Sequence, residues 1–290
     1  MNDLLRLLPP VRRARGNRLY TADGKRFLDL WLDDGRGILG DRDRYTRTFA
    51  ANASDKGLTR PYPGLYDARF IKAVIAAWPG FTAVRLFSSE ERALAAAARA
   101  LVSLSAPGSQ PTLVDSAVKP SAQGSAAAGG ATGPQKPGFI AIARPFAPIP
   151  EFCDLALPRL PCPRPFAPWC LMARDGTEAA RALSAEEGDL VPAGSLVAAA
   201  RGLSSLEATV SDGYGEALWA RFDRRMDAWF ERSGPYLFTR AIPAGYEAFF
   251  RAALEGGALL SPLPDAPSVI PPDFDDGELA KLAKSLQTIS

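Results

Sequence analysis

Residues 82–104, TAVRLFSSEERALAAAARALVSL, join a short apolar run to a long alanine-rich one through Ser88 and Ser89, and this junction decides the fold. Residues 82–87 have the β-branched and aromatic content of a buried strand. Ser88 or Ser89 then offers a side-chain oxygen to the free N–H groups of a following helix, whose first turn carries Glu90 and Glu91, where the positive end of the macrodipole favours carboxylates. That helix is apolar on almost every face except a stripe through Arg92, Arg99 and Ser103, so it belongs inside a layered α/β domain. A strand that ends in small residues at a helix N-terminus is also a seat for phosphate, because unsatisfied N–H groups and the dipole point outward together.

Composition removes several functions. At 290 residues the chain can bury a full core, as one large domain or two modest ones. Its 34 basic and 32 acidic residues leave a net charge of +2, with no block of like charge long enough for a nucleic-acid surface. No basic-then-apolar leader opens the sequence, and no stretch approaches the roughly 20 apolar residues of a membrane span. The expectation is a soluble cytoplasmic protein with neither nucleic acid nor membrane as partner. Cys153, Cys162 and Cys170 crowd a proline-rich stretch, in odd number and at no zinc or iron–sulfur spacing, so neither a disulfide framework nor a metal is expected. The chain has no histidine, which excludes Ser-His-Asp, Cys-His and imidazole acid–base chemistry. Chemistry by Lys, carboxylate, Tyr or a cofactor remains.

Two stretches carry a family resemblance. Residues 16–30, GNRLYTADGKRFLDL, read as two alternating strands about an Asp23-Gly24 turn. Together with the glycine-containing loop at 35–40 they resemble the opening hairpin of the class III aminotransferases, and Asp41 stands where that family has a His after its last glycine. Ser88-Ser89-Glu90-Glu91-Arg92 resembles the Ser-Gly-Ser/Thr-Glu-Ala turn with which the same family holds the phosphate of pyridoxal phosphate (PLP), the glutamate-1-semialdehyde aminomutase branch being nearest. Ser88 and Glu91 match, whereas Ser89 replaces the glycine and Glu90 replaces the hydroxyl residue that touches phosphate. Residues 67–78, a helix by the spacing of Phe70, Val74 and Ile71, Ile75, Trp78, sit where the family has a helix before that turn. Residues 190–207, 245–257 and 273–289 are similar to its later helices. The spacing in 216–233 also predicts a helix, closed by Gly234.

The middle of the chain departs from the family. Residues 4–15 read as an amphipathic lead-in broken at Pro9-Pro10, and residues 122–137 are too rich in Ala, Gly, Ser and Pro to order by themselves. No aromatic residue occurs from 88 to 138, where the family places the ring that stacks on its cofactor. Residues 139–145 resemble the family strand that ends in Glu-Pro, with Arg144 in place of the Glu. Residues 154–166 can be laid on the family segment that bears the Schiff-base lysine, which places Leu160 at the lysine position; no Lys occurs between Lys136 and Lys281.

The resemblance implies an α/β fold: a reduced fold-type I large domain with a mostly parallel sheet, and a small α+β domain built from both chain ends. The expected segments are 1–65 with the hairpin, 66–210 as the shortened large domain, and 211–290 as the C-terminal small domain. It implies a homodimer. With no catalytic residue in place, Ser88 and Ser89 become a remnant phosphate turn, and no cofactor is expected: a degenerate, aminotransferase-like pseudoenzyme serving as scaffold, regulator or binder of an unknown small molecule. The alternative is an active PLP-dependent aminotransferase or aminomutase with Lys119 or Lys136 as the Schiff-base residue. An unrelated interaction protein is a third reading.

Overall fold

The computed structural model describes residues 3–41, 44–101, 111–118, 138–240 and 245–289. Strands β1 (Val11–Arg15), β2 (Arg18–Thr21) and β3 (Arg26–Asp29) come first, followed by helices α1 (Arg44–Asp55) and α2 (Leu65–Ala77). Then come β4 (Phe81–Phe87), α3 (Glu90–Leu101), β5 (Thr112–Asp115), β6 (Phe139–Ala143), β7 (Leu155–Pro158) and β8 (Trp169–Arg174). Helices α4 (Glu178–Ala185), α5 (Ala193–Ser211) and α6 (Glu216–Met226) lead to β9 (Phe230–Ser233), β10 (Tyr236–Thr239) and α7 (Tyr246–Glu255). Short strands β11 (Ala258–Leu259) and β12 (Ser268–Val269) precede the last helix, α8 (Asp276–Leu286). The chain divides into two units: one of residues 46–160 and 165–204, the other of residues 1–45, 161–164 and 205–290.

The first unit is built on a five-stranded sheet of order β4-β8-β7-β6-β5. Strands β5, β6 and β7 pair in parallel, while β8 runs antiparallel to both β7 and β4. Four strands therefore point one way, as a mostly parallel sheet requires. Helices α3 and α4 cover it, and the alanines of α3 explain how: Ala93, Ala96, Ala97 and Ala100 are buried against Phe87, Ile140, Leu155, Leu157 and Leu171. A helix with only Cβ atoms on its inner face can lie close to a sheet whose own residues are large. Strands β6 and β7 are buried and read as continuous apolar runs, which is the mark of parallel strands covered on both faces.

In the second unit the hairpin appears where its Asp-Gly pair predicts it. Gly24 takes φ +84 in the turn, and the ladder pairs Arg18 with Leu28, Leu19 with Phe27, and Tyr20 with Arg26. Residues 11–15 belong to this sheet as the outer strand β1, which the sequence VRRAR, without strict apolar–polar alternation, does not announce. The helix expected over 216–233 ends at Met226. Residues 230–233 instead form β9, hydrogen-bonded to β10 across a two-residue turn in which Gly234 has φ +58. The glycine that looked like a helix terminator is a hairpin residue, because only a residue without Cβ takes that φ cheaply.

The same unit holds a left-handed turn. Leu32, Asp33, Asp34 and Gly35 have φ of 50, 49, 62 and 81° in succession, a conformation that costs L-residues roughly 1–2 kcal/mol each. Buried Asp29 holds its entry, accepting the N–H groups of Trp31 and Leu32 at 2.9 Å, and Arg164 clamps Asp33 at 2.7 Å. Burial pushes the Asp29 carboxyl up to about 7.

Two substitutions test this architecture. An ideal Cβ on Gly256 would sit 2.9 Å from Leu282 Cα and 3.1 Å from Ser285 Cβ, where α7 and α8 meet. G256A is expected to lower the unfolding free energy by about 1–3 kcal/mol in urea titration, as overpacking does. Arg144, 2% exposed, pairs with Asp115 at the ends of β5 and β6. D115A leaves that guanidinium buried without its carboxylate and is expected to lose about 3–5 kcal/mol, whereas the double change D115L/R144M is expected to lose less than D115A alone.

Candidate functional site

Strands β4, β5, β6 and β7 end on one edge of the sheet, and open α/β sheets take their ligands outside the carboxyl ends of their strands. That edge carries Ser88, Ser89 and Glu90 after β4, Asp115 and Ser116 at β5, Arg144 after β6, and Arg159 after β7.

At the start of α3 the two serines do different work. Ser89 is the cap: its Oγ accepts the N–H of Arg92 at 3.3 Å and its carbonyl accepts the N–H of Ala93. Ser88 faces a carboxylate. Its N–H and hydroxyl both donate to Asp189 Oδ2, at 2.8 and 2.6 Å, and Arg92 closes on the same group with Nε to Oδ2 at 2.6 Å and Nη2 to Oδ1. The Asp189 carboxyl is held down to about 2, first by the Arg92 guanidinium and then by the Ser88 donors, although its partial burial opposes this. The hydroxyl of Ser89 likewise holds Glu91 below its ordinary range.

The segment that delivers Asp189 is fixed on β4 and α3. The N–H of Asp189 donates to the Leu86 carbonyl at 2.8 Å, and a Cβ on Gly188 would stand 3.1 Å from that same oxygen. Arg85 donates to the carbonyls of Ser184 and Glu186, and Arg99 forms a two-pronged pair with the Glu186 carboxylate. Sequence reading identifies Arg92 and Arg99 as a polar stripe on α3; the carboxylates that meet it come from about ninety residues away, at 186 and 189.

Along the rest of the edge, charges are paired within the chain. Arg144 donates to both oxygens of Asp115 at 2.7–2.9 Å and its backbone N–H donates to Ser116 Oγ. Arg159 approaches Glu90 at 3.7 Å, and its guanidinium lies 6.0 Å from the centre of the Trp169 ring. Leu160, which follows, is fully buried. Among the described residues no lysine lies on the strands of this sheet or on the turns at their carboxyl ends. Lys119 and Lys136 both fall outside the described residues, as does the segment 122–137. The three cysteines are buried and form no disulfide; burial pushes the thiols of Cys153 and Cys162 up to about 12, so both are protonated at neutral pH. Among the described residues no group of His, Cys, Asp and Glu is placed to hold a metal ion, and no helix is long and apolar enough to cross a membrane.

No protein-family profile matches the chain. An uncharacterized protein of Treponema pallidum is 29% identical over 310 residues, 93% of this chain and 91% of that one. A glutamate-1-semialdehyde 2,1-aminomutase of Exiguobacterium sibiricum is 32% identical over 89 residues; these make up 31% of this chain but 20% of the aminomutase, which is therefore the longer protein. In shape, an omega-transaminase from Sphaerobacter thermophilus superposes with a TM-score of 0.67 at 12% identity, over 96% of this chain and 91% of that one. Ornithine and acetylornithine aminotransferases share the same shape. The chain has the fold of the class III, fold-type I PLP-dependent aminotransferases, in a shortened form.

Proposed function

We propose that this protein keeps the aminotransferase scaffold without transamination, and serves as a scaffold, a regulatory partner or a binder of a small molecule. The observation that carries this reading is the carboxylate of Asp189 seated on the serine turn. PLP chemistry asks a protein for a cup for the phosphate, a lysine for the aldehyde and an acid for the pyridinium nitrogen. At Ser88 the N–H and hydroxyl that could serve a phosphate already serve an anion of the chain itself, and Glu90 adds a second negative charge beside it. A phosphate there would have to displace Asp189 from Ser88 and Arg92 and would stand beside the Glu90 carboxylate.

The other two requirements also fail to fit. The buried side chain at the position aligned with the lysine is Leu160; the family strand whose Asp meets the pyridinium nitrogen has no counterpart in the shortened stretch after β6, and Arg144, in place of the Glu of the Glu-Pro strand, is bound to Asp115. The residues at this edge thus do not fit the cofactor. In this reading Ser88 and Ser89 are a remnant phosphate turn whose anion has been replaced by Asp189. The family resemblance further supports a homodimer.

Two measurements test the proposal. Purified protein titrated with PLP is expected to show no absorbance band of a protein-bound aldimine, and borohydride treatment is expected to leave no pyridoxyl group on a specific lysine. A band that is trapped and maps to Lys119 or Lys136 would establish the active reading instead. The second measurement reads the occupied turn. A carboxyl lowered by folding stabilises the native state above its unfolded value and loses that contribution as pH falls through its folded value. The urea midpoint of the wild type is therefore expected to fall between pH 3.8 and about 2 by an increment that D189N lacks, and added salt is expected to shrink the difference.

A further inference from the structure

A second site lies among α1, α2 and α5 and shares no lining residue with the serine turn. It is a cavity of ≈ 400 Å³, walled by Phe49, Ala53 and Leu196 and ringed by Lys56, Arg69 and Arg201. Ala53 and Leu196 are buried, so the floor is apolar, while the three cations stand at the exposed rim. Arg201 lies over the Phe49 ring at 4.1 Å and Arg69 lies 5.6 Å from the centre of the Tyr66 ring. Each guanidinium is thus held by an aromatic face, which fixes its plane but leaves its N–H donors open.

The charges of this rim are unbalanced. Among the described residues no carboxylate comes within ion-pair distance of Lys56, Arg69 or Arg201, although every arginine at the strand-end edge has one. The nearest acid in sequence to Arg69, Asp67, is turned to its own helix start, where it accepts the N–H of Gly64 at 3.2 Å. Three like charges gathered on one rim repel one another, and an anion with two or more acceptor oxygens relieves that repulsion while filling the open donors. The volume falls within the roughly 300–1,000 Å³ of small-molecule pockets, and an apolar floor with a few polar groups at the mouth is the usual arrangement there.

We propose that this cavity binds a small organic anion with an apolar or aromatic body: the ring or chain enters between Phe49 and Leu196, and a carboxylate or phosphate head is held by Lys56, Arg69 and Arg201. This site uses none of the residues of the serine turn, so its presence or absence does not bear on whether the protein transaminates.

The test uses the full chain and an aromatic sulfonate, anilinonaphthalene sulfonate, as probe, read by fluorescence and calorimetry. Saturable binding at one site is expected, weakened by salt, with phenylnaphthylamine, the same rings without the sulfonate, binding at least about tenfold less tightly, the scale of one charge-assisted hydrogen bond. R201Q, R69Q and K56Q, each checked for native circular dichroism, are expected to weaken the sulfonate by a similar factor and leave the neutral ring unaffected. D189N is expected to bind like the wild type. Equal affinity for charged and neutral rings, or unchanged affinity in all three variants, would overturn the proposal. Displacement of the probe by inorganic phosphate at equal concentration would overturn the role given to the apolar floor.

Discussion

The carboxylate of Asp189 receives four donors at the start of α3: the N–H and hydroxyl of Ser88 and two nitrogens of Arg92. Every element around it is arranged by that junction. Helix α3 must begin right after β4 for its first N–H groups to face the sheet edge, its inner face must be alanine to lie on β6, β7 and β8, and the 184–189 segment must run beside β4 to bring the carboxylate in. Gly188 makes the last step possible, since a side chain there would press on the Leu86 carbonyl that holds Asp189 in register. The N-terminal dipole of a helix, the hydroxyl of a short residue and a guanidinium one turn on form an anion seat of general kind. Here the anion belongs to the protein.

A covalently supplied anion changes what the sheet edge can do. Because Asp189 is tethered, it binds the turn at an effective concentration that a free phosphate must exceed, and the Arg92 guanidinium and the Ser88 donors favour its ionised form. Farther along the edge Arg144 and Asp115 neutralise each other, so the strand ends present bonded pairs where a cofactor site presents unmet donors and acceptors. The rim of the cavity formed by α1, α2 and α5 is the reverse case, with cations gathered and no ion pair to any of them among the described residues.

Much of the fold was legible in the residues because the deciding signals were local. Asp23-Gly24 between alternating runs specifies a hairpin, and the small residues of 93–100 specify a helix that packs closely. Reading failed where a local pattern served two purposes. The run at 216–233 has helical spacing throughout, but pairing with β10 captures its last residues, and Gly234 suits a hairpin turn as well as a helix end. Residues 11–15 have no alternation, and only the ladder to β2 makes them a strand. The site was half legible: Ser88 and Ser89 stood out at once, while Asp189 carried no signal, being one carboxylate in an ordinary loop.

By itself the sequence determined the α/β class, the opening hairpin, the serine turn before an alanine helix, and the absence of any histidine chemistry. These depend on residue type and on neighbours within a few positions. Only the tertiary structure decided which serine caps the helix, that Asp189 fills the turn, that Arg144 is matched by Asp115, and that Lys56, Arg69 and Arg201 share one cavity. Asp189 lies about a hundred residues from Ser88, and Arg201 more than a hundred from Arg69, and an ion pair or a pocket is a statement about distance in space, which spacing along the chain does not encode.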